Sequence, residues 1–197
     1  MKTKYLILVI VLANSIHSTF SQTLDLKVYY DYISTGNDLP ENISRIEDRS
    51  GILNPFIGVW KGTINDRQIT LKIEKGTYFD DYSNSTEDVL LTRFLLSDRN
   101  GLTISSTFDL NNDEISVIQS RYLSDGIMYN DFYEGGACGN WVQLDYKFLG
   151  KDPTTTKIMM QVGTVVRSEE IAGATLCTSG FPQPSFPTGE DIIFTKQ

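Results

Sequence analysis

The sequence predicts an all-β fold, an antiparallel up-and-down meander barrel of eight or nine strands that is preceded by an N-terminal arm. Two observations support this prediction. Residues 57–197 contain nine short apolar runs, most of which alternate with a period of two. Turn sequences rich in Gly, Asn and Asp separate nearly all of these runs, which is typical of successive hairpins. Closure into a barrel removes the exposed edge strands, whereas the alternative, a two-sheet sandwich, usually needs longer connections.

Residues 1–21 have the organisation of a secretion signal. Two lysines precede an apolar run, residues 5–13, which is too short to span a bilayer. Small residues then stand at the −3 and −1 positions of a cleavage site between Ser21 and Gln22. The alternative is a buried N-terminal strand. We therefore expect a secreted or periplasmic protein, because the order of charged, apolar and cleavage regions is complete.

The composition excludes several kinds of chemistry. The formal net charge is −8, and cleavage would remove two lysines and no acidic residue, which gives −10. Such a charge disfavours nucleic acid and anionic membrane surfaces. The only histidine, His17, lies in the expected leader, so Ser-His-Asp catalysis, Cys-His catalysis and histidine-ligated zinc are excluded for the exported chain. We expect a monomer with no cofactor, no metal, no membrane span and no enzymatic activity.

Two cysteines, Cys138 and Cys177, remain in the expected exported chain. An even pair in an oxidising compartment predicts a disulfide. It would close a loop of roughly 40 residues and stabilise the fold by about 3–4 kcal/mol. The alternative is a nucleophilic thiol, which would lack a histidine to activate it. Two thiolates are too few for a structural zinc site.

Residues 22–53 are predicted to form the arm, which packs across a barrel domain formed by residues 54–197. Within the arm, residues 24–28 alternate and predict a short strand. Residues 42–49 are charged and predict at most one helical turn. The sequence shows no convincing amphipathic helix.

A cluster of tyrosines, Tyr29, Tyr30 and Tyr32, follows the first predicted strand. These side chains could form a binding platform for sugars or for an aromatic ligand. The alternative is that they cover the edge of the core with their hydroxyl groups in water, as tyrosines more often do.

The barrel domain is read as nine strands joined by turns. The residues 76–88 between the second and third strands read as a polar loop, and Asn-Gly in residues 98–101 predicts a type I′ hairpin turn. Residues 181–189 contain three prolines and predict an extended loop. The predicted strands are residues 59–64, 68–74, 89–96, 102–108, 115–123, 127–133, 141–149, 157–167 and 191–196.

The first of these strands carries the pattern Phe56-x-Gly58-x-Trp60-Lys61. It resembles the start of the calycin barrels, the group of lipocalins and intracellular fatty-acid-binding proteins. In that group the Gly-x-Trp heads the first strand, the Trp closes one end of the barrel, and a Lys or Arg near the last strand packs over it. The resemblance implies that Gly58, Trp60 and Lys196 close this barrel, and that a small apolar ligand occupies its interior.

The same start, together with a signal peptide and a final Thr-Lys strand, is similar to small secreted proteins of Bacteroidetes-type bacteria. The Thr-Asp-Tyr motif of lipocalins and the helix pair of fatty-acid-binding proteins are not recognisable in this chain. The alternative for Trp60 is a core tryptophan of any β-domain.

Acidic residues give weaker signals. Residues 109–113 have the first three ligand spacings of a calcium loop, but the later glycine and glutamate are missing, so a hairpin turn explains them equally well. The acidic pairs at residues 80–81 and 169–170 could serve glycoside hydrolysis. However, neighbours on a strand point to opposite faces, which favours solvated side chains.

The sequence therefore favours an exported, non-catalytic binding protein with a small apolar ligand in the barrel. The second hypothesis is a protein-interaction or inhibitor module that acts through its tyrosine-rich arm and its proline loop. The third is a carboxylate-based hydrolase.

Overall fold

Eleven β-strands and one α-helix are found in residues 21–81, 83–112, 114, 117–134, 140–150, 156–167 and 189–197, the part of the chain that the computed structural model describes. The strands are β1 (Gln22–Asp25), β2 (Ile43–Glu47), β3 (Gly58–Ile64), β4 (Arg67–Asp80), β5 (Ser85–Ser97), β6 (Thr103–Ser106), β7 (Ile118–Ser124), β8 (Ile127–Glu134), β9 (Asn140–Phe148), β10 (Lys157–Arg167) and β11 (Asp191–Lys196). The helix is α1 (Leu26–Thr35), and a short 3₁₀ turn, Asn54–Phe56, precedes β3. Among these residues no helix has the length and apolarity that a membrane crossing requires.

Eight of these strands form a closed antiparallel barrel, so the predicted all-β meander barrel is confirmed. Their order around the barrel is β5-β4-β3-β11-β10-β9-β8-β7. The first and last of these strands in the sequence, β3 and β11, pair at Trp60 and Lys196. The ring closes where β7 pairs with the middle of β5, at Leu91 and Thr92. The predicted strand at residues 102–108 is shorter than expected, and as β6 it pairs with the end of β5 outside the closed ring.

Tight turns connect several of the barrel strands. Asn65 and Asp66 both have positive φ angles, 47° and 61°, and join β3 to β4. Asp125 and Gly126 do the same between β7 and β8, with φ angles of 52° and 74°. Positive φ at both central positions is the type I′ geometry, which matches the twist of the flanking strands.

The turn between β5 and β6 differs from the predicted type I′ turn. Only Gly101 has a positive φ angle there, 84°. The Asp98 carboxylate accepts hydrogen bonds from the backbone N–H groups of Asn100 and Leu102, both at 2.8 Å. The aspartate side chain therefore stabilises a different turn from the one that Asn-Gly alone suggests.

The predicted polar loop at residues 76–88 is wrong, because β4 and β5 extend through most of it. Their pairing continues without interruption to Asp80 and Ser85. Gly76 allows β4 to lie close to the Leu91 side chain of β5, since a Cβ atom at that position would lie 2.3 Å from Cδ1 of Leu91. The polar sequence is misleading because one end of this hairpin is covered by the arm, where polar side chains are paired instead of solvated.

The arm contains a helix that the sequence analysis missed. The predicted strand at residues 24–28 ends at Asp25, whose carboxylate caps α1 by accepting a hydrogen bond from the Lys27 N–H at 2.9 Å. Gly36, with a φ of 66°, ends the helix in the left-handed conformation. Leu26 and Tyr30 are buried one turn apart, a helical spacing that was present in the sequence.

The helical turn predicted at residues 42–49 is also wrong, because this segment is strand β2. It lies parallel to β5, with Arg45 opposite Thr86 and Ile46 opposite Glu87. β1 in turn lies parallel to β2. The arm thus extends the sheet at the start of β5, which places α1 and both arm strands at one end of the barrel.

Large aromatic side chains lie buried in the described interior of the barrel. Five aromatic residues from five different strands are each less than 2% exposed, and the rings of Phe94 and Phe132 meet edge to face with centroids 5.5 Å apart. Burial raises the pKa of the Tyr146 phenol, so this group stays protonated. The five residues are Trp60, Phe94, Phe132, Tyr146 and Phe194.

The substitution Gly62→Ala is expected to destabilise the seam between β3 and β11. A Cβ atom at Gly62 would lie 2.8 Å from the backbone oxygen of Ile193, which cannot move without disturbing the pairing. We expect a loss of about 1–3 kcal/mol in the free energy of unfolding, measured by urea denaturation. Gly163→Ala in β10 is the matched control, since its Cβ would lie 3.4 Å from the nearest atoms. Equal losses for the two variants would contradict the expected strain.

Candidate functional site

The N-terminal arm and the turn between β4 and β5 enclose a cleft of about 450 Å³, which we call the arm cleft. Its described lining is half polar and half apolar and carries no charged side chain. Ile46 and Ser85 are buried in it, whereas Asn42 and Asn84 are exposed. The lining consists of Ser21, Tyr29, Leu39, Pro40, Asn42, Ile43, Ser44, Ile46, Ser83, Asn84 and Ser85.

Two asparagines reach the arm cleft from separate parts of the chain. Asn42 precedes β2 and Asn84 lies in the β4–β5 turn, and both have positive φ angles, 63° and 51°. Asparagine tolerates this conformation better than most residues. Neither side-chain amide forms a hydrogen bond with the rest of the described chain, so both amides are available to a ligand.

Helix α1 directs two successive tyrosines to different environments. Tyr30 is 5% exposed and belongs to the core, where burial, and to a smaller extent the negative charge of Glu87, raises the pKa of its phenol. Tyr29 lines the arm cleft and packs partly against the core, with its ring centroid 5.9 Å from that of Tyr30. Tyr32 is not part of the lining. The tyrosine cluster therefore supplies one ring to this cleft, not a platform of three.

Two buried carboxylates and two partly exposed cations beside the cleft attach the arm to the barrel. The Asp88 carboxylate is 4% exposed and forms ion pairs with Arg45 of β2 and with Lys75 of β4, the latter at 2.8 Å. It also accepts a hydrogen bond from the Asp48 N–H at 3.0 Å. Burial acts to raise the pKa of Asp88, but the hydrogen bonds from Lys75, Asp48 and Arg45 outweigh it and hold this pKa below its ordinary value.

Asp48 continues this network into the loop before β3. Its carboxylate is fully buried and accepts hydrogen bonds from the N–H groups of Ile52 and Leu53, at 2.8 and 3.2 Å. Leu53 is itself fully buried in the core. The four charged groups of Arg45, Asp48, Lys75 and Asp88 thus connect β2, β4, β5 and this loop, and they fix the position of the arm.

The structure brings together the three residues that the calycin resemblance selects. Trp60 is fully buried, and the ammonium nitrogen of Lys196 lies 5.1 Å from the centroid of its ring. The Trp60 indole N–H donates to the Phe56 carbonyl oxygen at 2.8 Å, and the Lys196 ammonium donates to that of Pro55 at 3.2 Å. Gly58 has a φ of 140°, a conformation that favours glycine, and a Cβ atom there would lie 2.8 Å from Cε of Lys196, so the lysine side chain would have to shift.

Other predicted features lie outside the described residues. Cys138 and Cys177 are among these, so their disulfide stays a prediction. The same holds for residues 181–188 of the proline loop and for the acidic pair at residues 169–170. The described residues contain no group of three or more His, Cys, Asp or Glu side chains that is arranged to hold a metal ion.

A second cleft, of about 340 Å³, lies on the outer face of β4 and β5 under the segment that follows β6. Arg93 is the most buried of its charged lining residues, with a side chain that is 7% exposed. The guanidinium donates to the Leu110 carbonyl oxygen at 3.0 Å and also contacts Glu74 and Asn112. Because these contacts hold the segment on the barrel, we assign this arginine a structural role.

Sequence reasoning did not find the arm cleft. Its residues come from α1, β2 and the β4–β5 turn, which meet only because β2 pairs with β5. The available signals were the two asparagines in turn contexts and the helical spacing of Leu26 and Tyr30. Neither signal indicates that the two segments are neighbours in space.

A protein-family model matches the chain over residues 1–197. The chain belongs to this family, a family of unknown function (DUF6705). No curated protein and no solved structure matches the chain. The description of this family names no activity and no ligand.

Proposed function

We propose that this protein is an exported, non-catalytic binding protein that takes a small ligand in the arm cleft. The observation that carries the proposal is the cleft itself, whose volume of about 450 Å³ falls in the range usual for small-molecule sites. Its described lining contains no carboxylate, amine or imidazole, the groups that acid–base catalysis most often uses. This composition supports binding rather than hydrolysis as the role of the cleft.

The arm cleft is a better place for a ligand than the barrel interior, where the calycin resemblance puts one. Five fully buried aromatic side chains occupy the described interior, so a ligand would have to displace packed rings. The eight-stranded barrel is compatible with a calycin-like fold. The proposal includes a relationship of this chain to the lipocalins and a likeness to secreted bacterial proteins. It also includes export through a leader that is cleaved before Gln22.

The substitution Ser44→Trp is expected to abolish ligand binding by filling the arm cleft. Ser44 is exposed at the end of the cleft near Ser21, so an indole there can occupy the cleft without entering the core. The exported protein would be incubated with an extracellular extract of its source cells and analysed by native mass spectrometry for a bound mass. Ser34→Trp is the control, because Ser34 is exposed on α1 and does not line the cleft.

The proposal requires a bound mass on the wild type and on Ser34→Trp that is absent from Ser44→Trp. A bound mass that is equal on all three proteins, or absent from all three, would contradict it.

A second candidate function is protein interaction. It is favoured by β6, a short strand beside the barrel on which Ile104 is 50% exposed, next to Leu102, which is 72% exposed. Large apolar side chains on a strand outside the closed ring are typical of a contact surface. In the same extract, co-purification of a protein partner with both the wild type and Ser44→Trp would favour this function over small-ligand binding.

A further inference from the structure

We infer that the ligand of the arm cleft is an uncharged oligosaccharide, an inference that rests on the proposed function. Four properties of the described lining lead to this class of ligand: it has no charged side chain, it has two amide groups without a partner in the described chain, it has one aromatic ring, and it has serine hydroxyls beside them. Each property excludes or favours particular ligand chemistries.

The lack of charge argues against an ionic ligand. The chain as a whole has a formal net charge of −8, yet none of the described lining residues is Asp, Glu, Lys or Arg. An anion would be repelled by the protein as a whole and would find no side-chain ammonium or guanidinium group in the described lining. A cation would be attracted by the protein but would lose hydration without gaining a carboxylate partner. An uncharged ligand avoids both costs.

The polar groups argue against a purely apolar ligand such as a fatty acid chain. The Asn42 and Asn84 amides have no partner in the described chain. Covering each amide with a hydrocarbon would leave its hydrogen bonds unmade, at a cost of about 1–3 kcal/mol per group. The ligand must therefore bring its own donors and acceptors. An amide presents a donor and an acceptor side by side, which matches two neighbouring hydroxyl groups of a sugar ring.

The apolar half of the lining matches the other face of a sugar ring. Tyr29 is half-buried, so its ring is fixed by contact with the core while it still lines the cleft. Leu39, Pro40 and Ile43 lie in the same cleft. A pyranose has C–H groups on one face and hydroxyls at its edge, so it can pack against the tyrosine ring while its hydroxyls reach the asparagines.

Leader cleavage would free one polar group of the cleft for a ligand. The Ser44 hydroxyl hydrogen bonds to the Ser21 hydroxyl, and cleavage between Ser21 and Gln22 would remove this partner. The Gln22 nitrogen, which is not part of the described lining, already donates to the Asn42 carbonyl oxygen at 2.9 Å, so the new terminal ammonium would remain bound to this backbone oxygen. The exported form would therefore present a free Ser44 hydroxyl to a ligand.

The test is isothermal titration of the exported protein with five neutral tetrasaccharides: cellotetraose, maltotetraose, xylotetraose, mannotetraose and chitotetraose in its N-acetylated form. A second arm uses a blocked, uncharged alanine tripeptide and laurate. We expect binding of at least one tetrasaccharide at millimolar concentration. Tyr29→Ala should weaken it by about tenfold or more, as expected for loss of an aromatic contact residue.

Asn84→Gly is the second test variant, because it removes one amide while glycine keeps the positive φ angle of the turn. We expect about three- to tenfold weaker binding, the effect of one lost hydrogen bond. Since Asn84 is exposed, this variant stays informative even if Tyr29→Ala loses stability. Tyr32→Ala is the matched control on the same helix and should bind like the wild type.

The outcomes separate the two proposals. Sugar binding that neither Tyr29→Ala nor Asn84→Gly weakens would overturn the assignment of the site. The oligosaccharide inference is wrong if no tetrasaccharide binds but the tripeptide or laurate does. The binding function still stands in that case, provided that Ser44→Trp abolishes the binding of that compound. If no compound in either arm binds at millimolar concentration, the inference fails, and the native mass spectrometry of the Ser44→Trp series decides the function separately.

Discussion

Replacing Trp60 with alanine is expected to destabilise the barrel by about 3–5 kcal/mol, one of the two largest effects of any single substitution proposed for this protein. The indole is fully buried at one end of the barrel, where its N–H donates to the Phe56 carbonyl oxygen. Its ring lies 6.4 Å from that of Phe148 and beneath the Lys196 ammonium. Alanine would leave a cavity, an unpaired carbonyl group and a lysine without its aromatic partner.

Urea denaturation of the wild type and Trp60→Ala measures this loss as a difference in the free energy of unfolding. Val59→Ala is the matched control, because Val59 is the preceding residue of the same strand and is 38% exposed. We expect it to change the stability by about 0.5 kcal/mol or less. A loss below about 1 kcal/mol for Trp60→Ala would show that Trp60 does not close the barrel.

Replacing Asp88 with alanine is expected to cost about 2–3 kcal/mol, because it leaves the buried Asp48 N–H unpaired and removes the carboxylate partner of two partly exposed cations. Arg45 and Lys75 both pair with this carboxylate, and the Asp48 N–H donates to it. Since β2 attaches to the barrel at the same point, we also expect faster amide hydrogen exchange in β1 and β2.

Glu47→Ala is the matched control for this loss. Glu47 also forms an ion pair on the arm, with Arg49 at 2.9 Å, but the two side chains are 44% and 57% exposed. Exposed pairs stabilise a protein by about 1 kcal/mol at most. Similar losses for Asp88→Ala and Glu47→Ala would be incompatible with an anchoring role for the Asp88 carboxylate.

The pH dependence gives a second readout for Asp88. Because the folded-state pKa of Asp88 is lowered, its ionised form stabilises the fold fully above the ordinary value of 3.8. This stabilisation is lost as the pH falls below 3.8 through the folded-state pKa. We therefore expect the difference in stability between the wild type and Asp88→Asn to be constant at neutral pH and to shrink in acid. A difference that stays constant into strong acid would mean that the pKa of Asp88 is not lowered by folding.

The barrel could be predicted from the sequence because its determinants are local. Alternating apolar residues and two-residue turns such as Asn65-Asp66 act over a few positions, so they appear directly in the sequence. The contact between Trp60 and Lys196 is different, since these residues are far apart in the chain. It was expected only from the resemblance to calycin barrels, in which the first and last strands are neighbours.

The arm was mispredicted because tertiary contacts override its local pattern. Residues 42–49 are charged and look solvated in the sequence, yet Arg45 and Asp48 are partners of a buried carboxylate, Asp88, on another strand. The same pairing explains why the polar residues before Val89 continue β5 instead of forming a loop. The same charged residue types occur in segments whose side chains face water and in segments whose side chains pair within the protein, so the sequence does not distinguish the two cases.

The sequence by itself determined the all-β class, the turns of several hairpins and the absence of histidine from residues 22–197, since each depends on residue type or short spacing. Only the tertiary structure decided where the arm lies, that five aromatic side chains are buried in the described barrel interior, and that Tyr29, Asn42 and Asn84 line one cleft. The physical reason is that β2 pairs with β5 across about 40 residues of chain. The candidate site exists only after that long-range pairing has formed.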